Sequence, residues 1–272
     1  MKTIAILGAG WLGEPLAWAL AKESQIQVRV STRSSTDKLK FEKKKCVHFT
    51  IDLTENGVSG DIASFLYNCD VLLIAIPPGL RKNPKGNFVA KMDALLSELY
   101  QSTCKKVVFI SSTSVYDNHP EFPEVDAITK PDGTSTAGQQ LITVEKRIQQ
   151  QSHFTYTIIR FGGLIDISRH PATMLSGRKN LKNPLAPVNL IHRKDAISVC
   201  KHLIFLRSQN LVINTCYPQH PPKIQYYTEI CRQMKIPVPE FDVSEPSVGK
   251  IITATNDLHA IGYDLKYSIY EL

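Results

Sequence analysis

Three spaced glycines at the end of a short apolar segment constrain this chain more than any other feature of its sequence. Thr3 to Leu7 has the apolar composition of a buried strand, and Gly8, Gly10 and Gly13 follow it in G-x-G-x-x-G spacing. Glu14 to Lys22 is then a good helix former. The glycines therefore stand in the strand–turn–helix context that distinguishes this motif from a chance match.

This turn predicts a binding site for the pyrophosphate of a dinucleotide. The first glycine of the motif permits a tight turn, the second lets the backbone approach the phosphates, and the third lets helix and strand pack closely. Unpaired N–H groups and the helix dipole favour an anion at the helix N-terminus. We expect Trp11 and Leu12, which lie between the last two glycines, to contact the cofactor as well. The alternative is a glycine-rich turn that binds nothing.

The residues about twenty positions beyond the glycine turn predict which nicotinamide cofactor fits. Ile26 to Val30 alternates like a half-buried strand and leads into a Ser-Thr-Arg-Ser run. At this position an acid bonds the ribose 2′-OH of NAD, whereas an arginine accommodates the 2′-phosphate of NADP. No acid occurs until Asp37, so we expect Thr32, Arg33 and Ser34 to favour NADP over NAD. An ordinary polar turn with an exposed arginine is the alternative.

Strands alternate with helices along the rest of the chain. Further strands are predicted at Val47–Ile51, Val71–Ile76, Lys106–Ile110, Tyr156–Phe161 and Leu211–Thr215. Short connections between alternating elements imply right-handed βαβ units. The predicted fold class is α/β, with a Rossmann-type doubly wound parallel sheet.

The organisation of the sequence loosens after the sixth predicted strand. We expect an NAD(P)-binding domain at residues 1–165 and a smaller C-terminal substrate region at residues 166–272. The second part is interleaved with the first, because Val188–Leu206 and Leu211–Thr215 are expected to return to the Rossmann sheet.

The ends of three predicted strands supply further candidate cofactor contacts. Asp52 follows one strand, and from there it is placed to approach an adenine. Ile76 and Pro77 mark the point where the chain leaves a continuous apolar strand near the cofactor. Ser111 follows the next strand directly. We expect all four residues to belong to the cofactor site.

Composition excludes several classes of function. Hydrophobic residues make up 43% and charged residues 21% of the 272 residues, so a packed globular core is expected. The formal net charge is +7, but a basic balance alone indicates only non-specific attraction. The densest basic run, Lys38 to Lys45, also contains one aromatic residue and one acid. We therefore expect a small-molecule substrate and no nucleic-acid partner.

Membrane association and metal binding are not expected either. No apolar run approaches the roughly eighteen residues of a membrane span, and Lys2 leads directly into a strand where a signal peptide would have its apolar region. The six cysteines are scattered, with no C-x-x-C pair and no clustering with histidine. They predict reduced thiols, no metal site and a cytoplasmic protein.

Several short segments, in their order and spacing, resemble the extended short-chain dehydrogenase/reductase superfamily, in its NAD-dependent epimerase/dehydratase branch. These segments are GAGWLG, Ser31 to Ser34, IPPG, SSTSVY, IIRFGGL, RHP and PVNLIHRKD. The resemblance extends from Lys2 to about Tyr267. It implies a Rossmann domain with a small C-terminal substrate-binding region, a bound NAD(P), and an active site at the C-terminal ends of the strands.

The same resemblance exposes a departure in the catalytic residues. In this superfamily a serine after the fifth strand orients the carbonyl, and a Tyr-x-x-x-Lys pair on the next helix performs acid–base chemistry. Ser112 stands at the serine position, but counting back from Glu145 places Ala137 and Leu141 where the tyrosine and lysine belong. Alanine and leucine cannot titrate, whereas hydride transfer to a carbonyl needs a proton donor with a pKa near the working pH.

Four other residues are candidates for the remaining chemistry. Tyr116 and His192 are the substitutes for an acid–base group, although each also fits a structural role. Arg169 and His170 follow the sixth predicted strand and are candidates for gripping an anionic substrate; the alternative is that they brace a loop.

Two functions of different class therefore stay open. The first is an NADP-dependent oxidoreductase or epimerase/dehydratase of atypical mechanism, acting on a small carbonyl, hydroxyl or sugar-nucleotide substrate. The second is a non-catalytic NADP-binding sensor or regulatory protein, which explains the missing pair directly. The sequence names neither the substrate nor a protein partner, and it allows a monomer or a homodimer.

Overall fold

Short runs of apolar and β-branched residues form the main sheet of the computed structural model, which describes residues 1–207 and 209–271. Residues 208 and 272 belong to the predicted C-terminal region and lie outside the described residues. Within the described residues the main sheet has seven strands: β1 (Lys2–Leu7), β2 (Ile26–Thr32), β3 (Cys46–Thr50), β6 (Val71–Ile74), β7 (Lys106–Ser112), β9 (Thr155–Phe161) and β12 (Leu211–Thr215).

The sheet has the strand order expected of a dinucleotide fold. Its order is β12-β9-β7-β6-β1-β2-β3, and the sheet is parallel. Counting only these seven strands along the chain, the order from the β3 edge is 3-2-1-4-5-6-7, which extends the 3-2-1-4-5-6 order of doubly wound sheets. The predicted fold class is confirmed.

The remaining strands form three small pairs. These are β4 (Asp52–Thr54) with β5 (Gly57–Ser59), β8 (Glu124–Val125) with β13 (Ile251–Ile252), and β10 (Gly163–Ile165) with β11 (Leu190–His192). The β4–β5 pair is antiparallel, and because Thr54 pairs with Gly57 its two-residue turn is Glu55-Asn56. The strand predictions above omit this hairpin.

The helices are α1 (Gly13–Leu20), α2 (Lys38–Glu42), α3 (Ile62–Leu66), α4 (Phe88–Tyr100), α5 (Thr136–Gln149), α6 (Pro171–Leu175), α7 (Arg193–Phe205), α8 (Lys223–Gln233) and α9 (Thr255–Ala260). The longer ones bury one apolar face. In α4, for example, Met92, Leu95 and Leu99 are fully buried, which follows the helical repeat of apolar residues. None of the helices in the described part of the chain is long and apolar enough to cross a membrane.

The chain forms two compact units, each built from three segments. The first unit comprises Met1–Ser111, Thr136–Ile159 and Ile197–Val212, and the second comprises Ser112–Ser135, Arg160–Ala196 and Ile213–Leu272. The division predicted above, into residues 1–165 and 166–272, remains a prediction.

Each unit has its own hydrophobic core. In the first unit, β1 and β6 are buried almost completely, as strands covered on both faces are. In the second unit, aromatic side chains from α8 pack with aliphatic side chains from β10, β11 and α6. The β1 and β6 core places the glycine turn after β1 beside the residues that follow β6.

Candidate functional site

The glycine turn after β1 shows a separate physical requirement at each glycine. Gly8 has a φ of +98°, a conformation that side chains rarely adopt. A Cβ atom on Gly13 would lie 2.4 Å from the Gly8 carbonyl oxygen, whereas a Cβ on Gly10 would meet nothing within 4 Å. Gly8 and Gly13 are therefore needed by the fold. Protein packing does not require a glycine at position 10. A glycine there is expected where the backbone must approach a pyrophosphate closely.

Three strand ends meet at Gly8. Its N–H donates to Ser31 Oγ at 3.2 Å, and the Ala9 N–H donates to the Ser31 carbonyl at 2.8 Å. On the other side, a Cβ on Gly8 would lie 2.7 Å from Ile76 Cγ2. The structure thus brings the ends of β1, β2 and β6 together around the turn. Ser31 is buried, at 2% exposure, and its two hydrogen bonds hold this turn in place.

The N-terminus of α1 has no side-chain cap from its N-cap residue, Leu12. Gly10 is exposed and Trp11 is half-buried, while Leu12 packs into the core. N–H groups that no side chain caps, together with the helix dipole, favour a bound phosphate. The geometry of this turn fits the predicted pyrophosphate site.

Arg33 is the available cation at the end of β2. Its side chain is exposed, and among the described residues no group hydrogen-bonds or ion-pairs with the guanidinium. The neighbouring hydroxyls are engaged within the turn: Thr32 Oγ1 donates to the Ser34 carbonyl at 2.6 Å, and Ser34 Oγ accepts from the Thr36 N–H at 3.2 Å. Of the three predicted contacts, Arg33 is the one with its full hydrogen-bonding capacity left for a phosphate.

The other candidate cofactor residues differ in how accessible they are. Asp52 begins β4 and is exposed, Ile76 is half-buried against Gly8, and Pro77 is exposed. Ser111 is 5% exposed, and its hydroxyl donates to Glu145 Oε1 at 2.5 Å. That hydrogen bond ties β7 to α5, so the structure shows a structural partner for Ser111.

Ser112, the candidate catalytic serine, is the last residue of β7 and lies in the second unit. It is half-buried, and its Oγ accepts from the Ser114 N–H at 3.1 Å. This hydrogen bond caps the 3₁₀ turn Thr113–Val115. A hydroxyl that accepts a hydrogen bond keeps its own hydrogen for donation. Ser112 therefore retains the hydrogen needed to polarise a carbonyl.

Tyr116 lies in a buried polar network within the second unit. Its side chain is 2% exposed, and its Oη accepts from Arg160 Nη1 at 2.5 Å. The Asp126 carbonyl and Asn214 Oδ1 lie 2.8 and 3.1 Å from the same oxygen, and the guanidinium also sits 5.2 Å from the ring centre. Proton transfer to a substrate would require Tyr116 to leave these partners, so this geometry favours the structural alternative.

His192 is the last residue of β11, immediately before α7, and is also enclosed. It is 5% exposed, its ring stacks on Tyr267 with centroids 5.1 Å apart, and its Nδ1 accepts from the Lys194 N–H at 3.1 Å. Nδ1 is the acceptor, so Nε2 carries the hydrogen of the neutral ring. Burial, assisted by Lys194, lowers the pKa of His192, which keeps the ring neutral at pH 7.

The two candidate substrate contacts, Arg169 and His170, differ in how far their side chains are exposed. Arg169 is exposed, whereas His170 is 2% exposed. His170 Nδ1 accepts from the Ala172 N–H at 3.1 Å, and its Nε2 lies 3.0 Å from Tyr226 Oη. Burial lowers the pKa of His170 to about 4, so this ring is neutral at pH 7. His170 here caps α6, and its role in gripping a substrate stays a prediction.

Two buried charged residues of the second unit, Lys250 and Asp195, are not among the site residues predicted from the sequence. Lys250 is 8% exposed, and its Nζ donates to the Tyr116 carbonyl at 2.6 Å and to Asn118 Oδ1 at 3.2 Å. Asp195 is fully buried and accepts from the N–H groups of Lys266 and Tyr267. No local pattern marks these residues, because their partners lie 71 to 134 positions away.

Thiols and metal ligands contribute no further site. All six cysteines are free and buried. Among residues 1–207 and 209–271 no group of three or more His, Cys, Asp or Glu side chains is placed to hold a metal ion.

Comparison with known sequences links the chain to nicotinamide-cofactor binding. A family model described as NAD(P)H-binding matches residues 8–200, which include the glycine turn and Arg33. Protein YeeZ of Escherichia coli (strain K12) is 26% identical over 270 residues, covering 98% of this chain and 97% of YeeZ.

Solved structures share the fold at low sequence identity. The UDP-glucuronic acid 4-epimerase of Bacillus cereus, in complex with NAD, has a TM-score of 0.80 and 16% identity over 99% of this chain and 93% of the epimerase. A functionally unknown conserved protein from Silicibacter pomeroyi DSS has a TM-score of 0.75 and 18% identity, over 99% and 95% of the two chains. At these identities the likeness shows the fold alone.

Proposed function

The chain belongs to the NAD(P)H-binding family, and from this premise we propose that it is an NADP-dependent oxidoreductase or epimerase/dehydratase. Its substrate would be a small carbonyl, hydroxyl or sugar-nucleotide compound. The observation that carries the cofactor choice is the exposed Arg33 guanidinium, which has no partner among the described residues. The reaction class is proposed from the sequence resemblance described above, and the fold shared with a UDP-glucuronic acid 4-epimerase in complex with NAD is one that holds such a cofactor.

The residues of the first unit would hold the cofactor. The backbone from Gly10 to Gly13 would take the pyrophosphate, and Arg33 would pair with the 2′-phosphate, since a guanidinium matches phosphate geometry. Asp52 would approach the adenine, and Ile76 and Pro77 would line the site beside Gly8. When bound, the nicotinamide supplies hydride transfer.

Ser112 would orient the substrate carbonyl through its hydroxyl hydrogen, and Arg169 would contact an anionic substrate group. No tyrosine–lysine pair accompanies Ser112 in the sequence from Asp117 to Gln151. The hydroxyl of Tyr116 and the ring of His192 already have partners. These observations favour a second candidate function, a non-catalytic NADP-binding sensor or regulatory protein.

Cofactor titration tests the NADP proposal. Binding of NADPH and NADH is measured by the fluorescence of the reduced nicotinamide, for the native protein, Arg33→Ala and Arg232→Ala. Arg232 is an exposed arginine on α8 and serves as the matched control. We expect tighter binding of NADPH, lost only in Arg33→Ala. Equal affinity for the two cofactors, or no effect of Arg33→Ala, would refute the 2′-phosphate assignment.

Turnover separates the enzyme from the sensor. NADPH consumption is followed with carbonyl compounds, and conversion of sugar nucleotides in the presence of NADP⁺ is followed by chromatography of the products, because an epimerase or dehydratase regenerates its cofactor. Both assays include Ser112→Ala and the exposed-serine control Ser97→Ala. An enzyme shows one of these activities and loses it in Ser112→Ala while still binding the cofactor, whereas a sensor binds the cofactor but neither oxidises NADPH nor converts any compound.

A further inference from the structure

His48, on β3, contacts the turn that carries Arg33. Its Nε2 lies 2.7 Å from Thr32 Oγ1, and the same Thr32 hydroxyl donates to the Ser34 carbonyl at 2.6 Å. A hydroxyl has a single hydrogen. Since Thr32 donates that hydrogen to Ser34, His48 Nε2 must carry a hydrogen and donate it to Thr32.

The His48 ring is held from two sides. On the sheet, His48 pairs with Val30 of β2, two residues before Thr32. Across from the sheet, the ring stacks nearly parallel on Phe41 of α2, at an angle of 11° and a centroid distance of 5.7 Å. Phe41 is fully buried. The donor nitrogen is therefore fixed by the core of the first unit.

Two consecutive hydrogen bonds connect the residues on either side of Arg33. His48 donates to the Thr32 hydroxyl, and that hydroxyl donates to the Ser34 carbonyl. Ser34 Oγ in turn accepts from the Thr36 N–H. The backbone on both sides of Arg33 is thus constrained, although the guanidinium itself has no partner among the described residues.

We propose that His48 is a positioning residue for the 2′-phosphate of NADP: by donating to Thr32 it fixes the turn that presents Arg33. This inference rests on the NADP preference proposed above. A pre-arranged turn saves the conformational entropy that binding would otherwise cost. NADH has no 2′-phosphate, so its affinity does not depend on this arrangement.

His48 acts in this role as a neutral donor. Burial lowers the pKa of His48; Asp37 and Glu42 oppose that effect, and Lys38 adds to it. The neutral ring therefore predominates at pH 7.5. A neutral side chain with a similarly placed N–H should replace it, whereas an apolar one should not.

Four variants test the proposal at pH 7.5 by fluorescence titration with NADPH and NADH. His48→Leu removes the donor, His48→Gln keeps one, Thr32→Val removes the acceptor, and His48→Leu/Thr32→Val removes both. We expect His48→Leu to weaken NADPH binding by about 3- to 10-fold, the value of one neutral hydrogen bond, with NADH affinity unchanged. His48→Gln should restore NADPH affinity, and the double variant should bind NADPH no more weakly than the weaker single variant.

The outcomes separate this inference from the NADP proposal. If the native protein does not prefer NADPH, or Arg33→Ala leaves that preference intact, the NADP proposal fails and this inference fails with it. If the preference depends on Arg33 but His48→Leu leaves it intact, only the role of His48 fails. The role of His48 would also be refuted if His48→Leu weakened NADPH and NADH binding equally, or if His48→Gln did not restore NADPH affinity. Should His48→Leu not fold, Thr32→Val and His48→Gln still decide between these outcomes.

Discussion

At the scale of single residues, two glycines of the turn are required by protein packing and the third is not. Gly8 and Gly13 meet protein atoms where a Cβ would stand, whereas Gly10 meets none and is exposed. A methyl group at Gly10 would occupy only space outside the protein. The three glycines of one motif are therefore expected to respond differently to alanine.

We predict that Gly10→Ala folds normally and binds NADPH at least about tenfold more weakly. Its free energy of unfolding should stay within about 1 kcal/mol of the native value, because no protein atom is displaced. The matched variant Gly13→Ala should lose about 1–3 kcal/mol by overpacking against the Gly8 carbonyl. Urea denaturation and NADPH titration measure the two effects. Unchanged NADPH affinity in Gly10→Ala would place the pyrophosphate elsewhere.

His170 shows how burial turns a histidine into a pH-dependent element of stability. Burial lowers its pKa in the folded protein to about 4, against about 6.5 when unfolded. Between these two values the unfolded chain binds a proton that the folded protein does not. Stability therefore rises with pH across this window and falls as pH decreases from 6.5 to 4.

We predict that the native protein loses about 3 kcal/mol more stability than His170→Asn between pH 7 and pH 4. Asparagine cannot titrate but keeps an N-cap acceptor for α6. Urea denaturation of both proteins at several pH values measures the difference, and carboxylates common to both cancel. Parallel stability curves would contradict a buried neutral His170.

At the scale of secondary-structure elements, α5 carries Ala137 and Leu141, the two positions that the resemblance aligns with a tyrosine and a lysine. Leu141 is 3% exposed and belongs with Val144 and Ile148 to the buried face of the helix. Ala137 is half-buried. Leu141 is therefore part of an apolar packing surface.

We predict that Leu141→Lys destabilises the protein by about 2–4 kcal/mol, because its ammonium group would lose hydration without gaining a partner. Leu141→Met, of similar volume, should change stability by less than about 1.5 kcal/mol. Thermal and urea denaturation compare the two variants. Equal stability of both would show that the site can admit a cation.

Sequence patterns locate the elements well where periodicity is strong. Apolar residues at helical spacing predict a helix over Phe88–Tyr100, and the observed helix has the same bounds. The strand predicted at Leu211–Thr215 also has the predicted bounds. The apolar run Ala196–Leu206 also predicts a helix, but the observed helix begins at Arg193 and ends at Phe205, because a helix N-terminus depends on capping as well as on apolar spacing. The β4–β5 hairpin is missing from the prediction, because each of its strands is only three residues long and shows too little alternation.

At the scale of the whole molecule, all of the proposed cofactor contacts fall within the first compact unit. A ligand that binds only the folded state stabilises it by mass action. We predict that NADPH at one hundred times its dissociation constant raises the free energy of unfolding by about 2.7 kcal/mol. Denaturation with and without NADPH measures this, and Gly10→Ala at the same NADPH concentration is the control. No increase for the native protein would contradict cofactor binding to the folded chain.

Sequence alone determined the glycine turn, the sheet strands and the position of an arginine after β2, since each depends on neighbours within a few positions or on a short period. Only the tertiary structure decided which polar side chains stay available. His48 and Thr32 are 16 positions apart, Ser111 and Glu145 are 34 apart, and Tyr116 and Arg160 are 44 apart. Such partners meet through strand register and helix packing. Local patterns therefore identify the residue types of a site, whereas long-range packing decides which hydroxyls, rings and cations retain hydrogen-bonding capacity for a ligand.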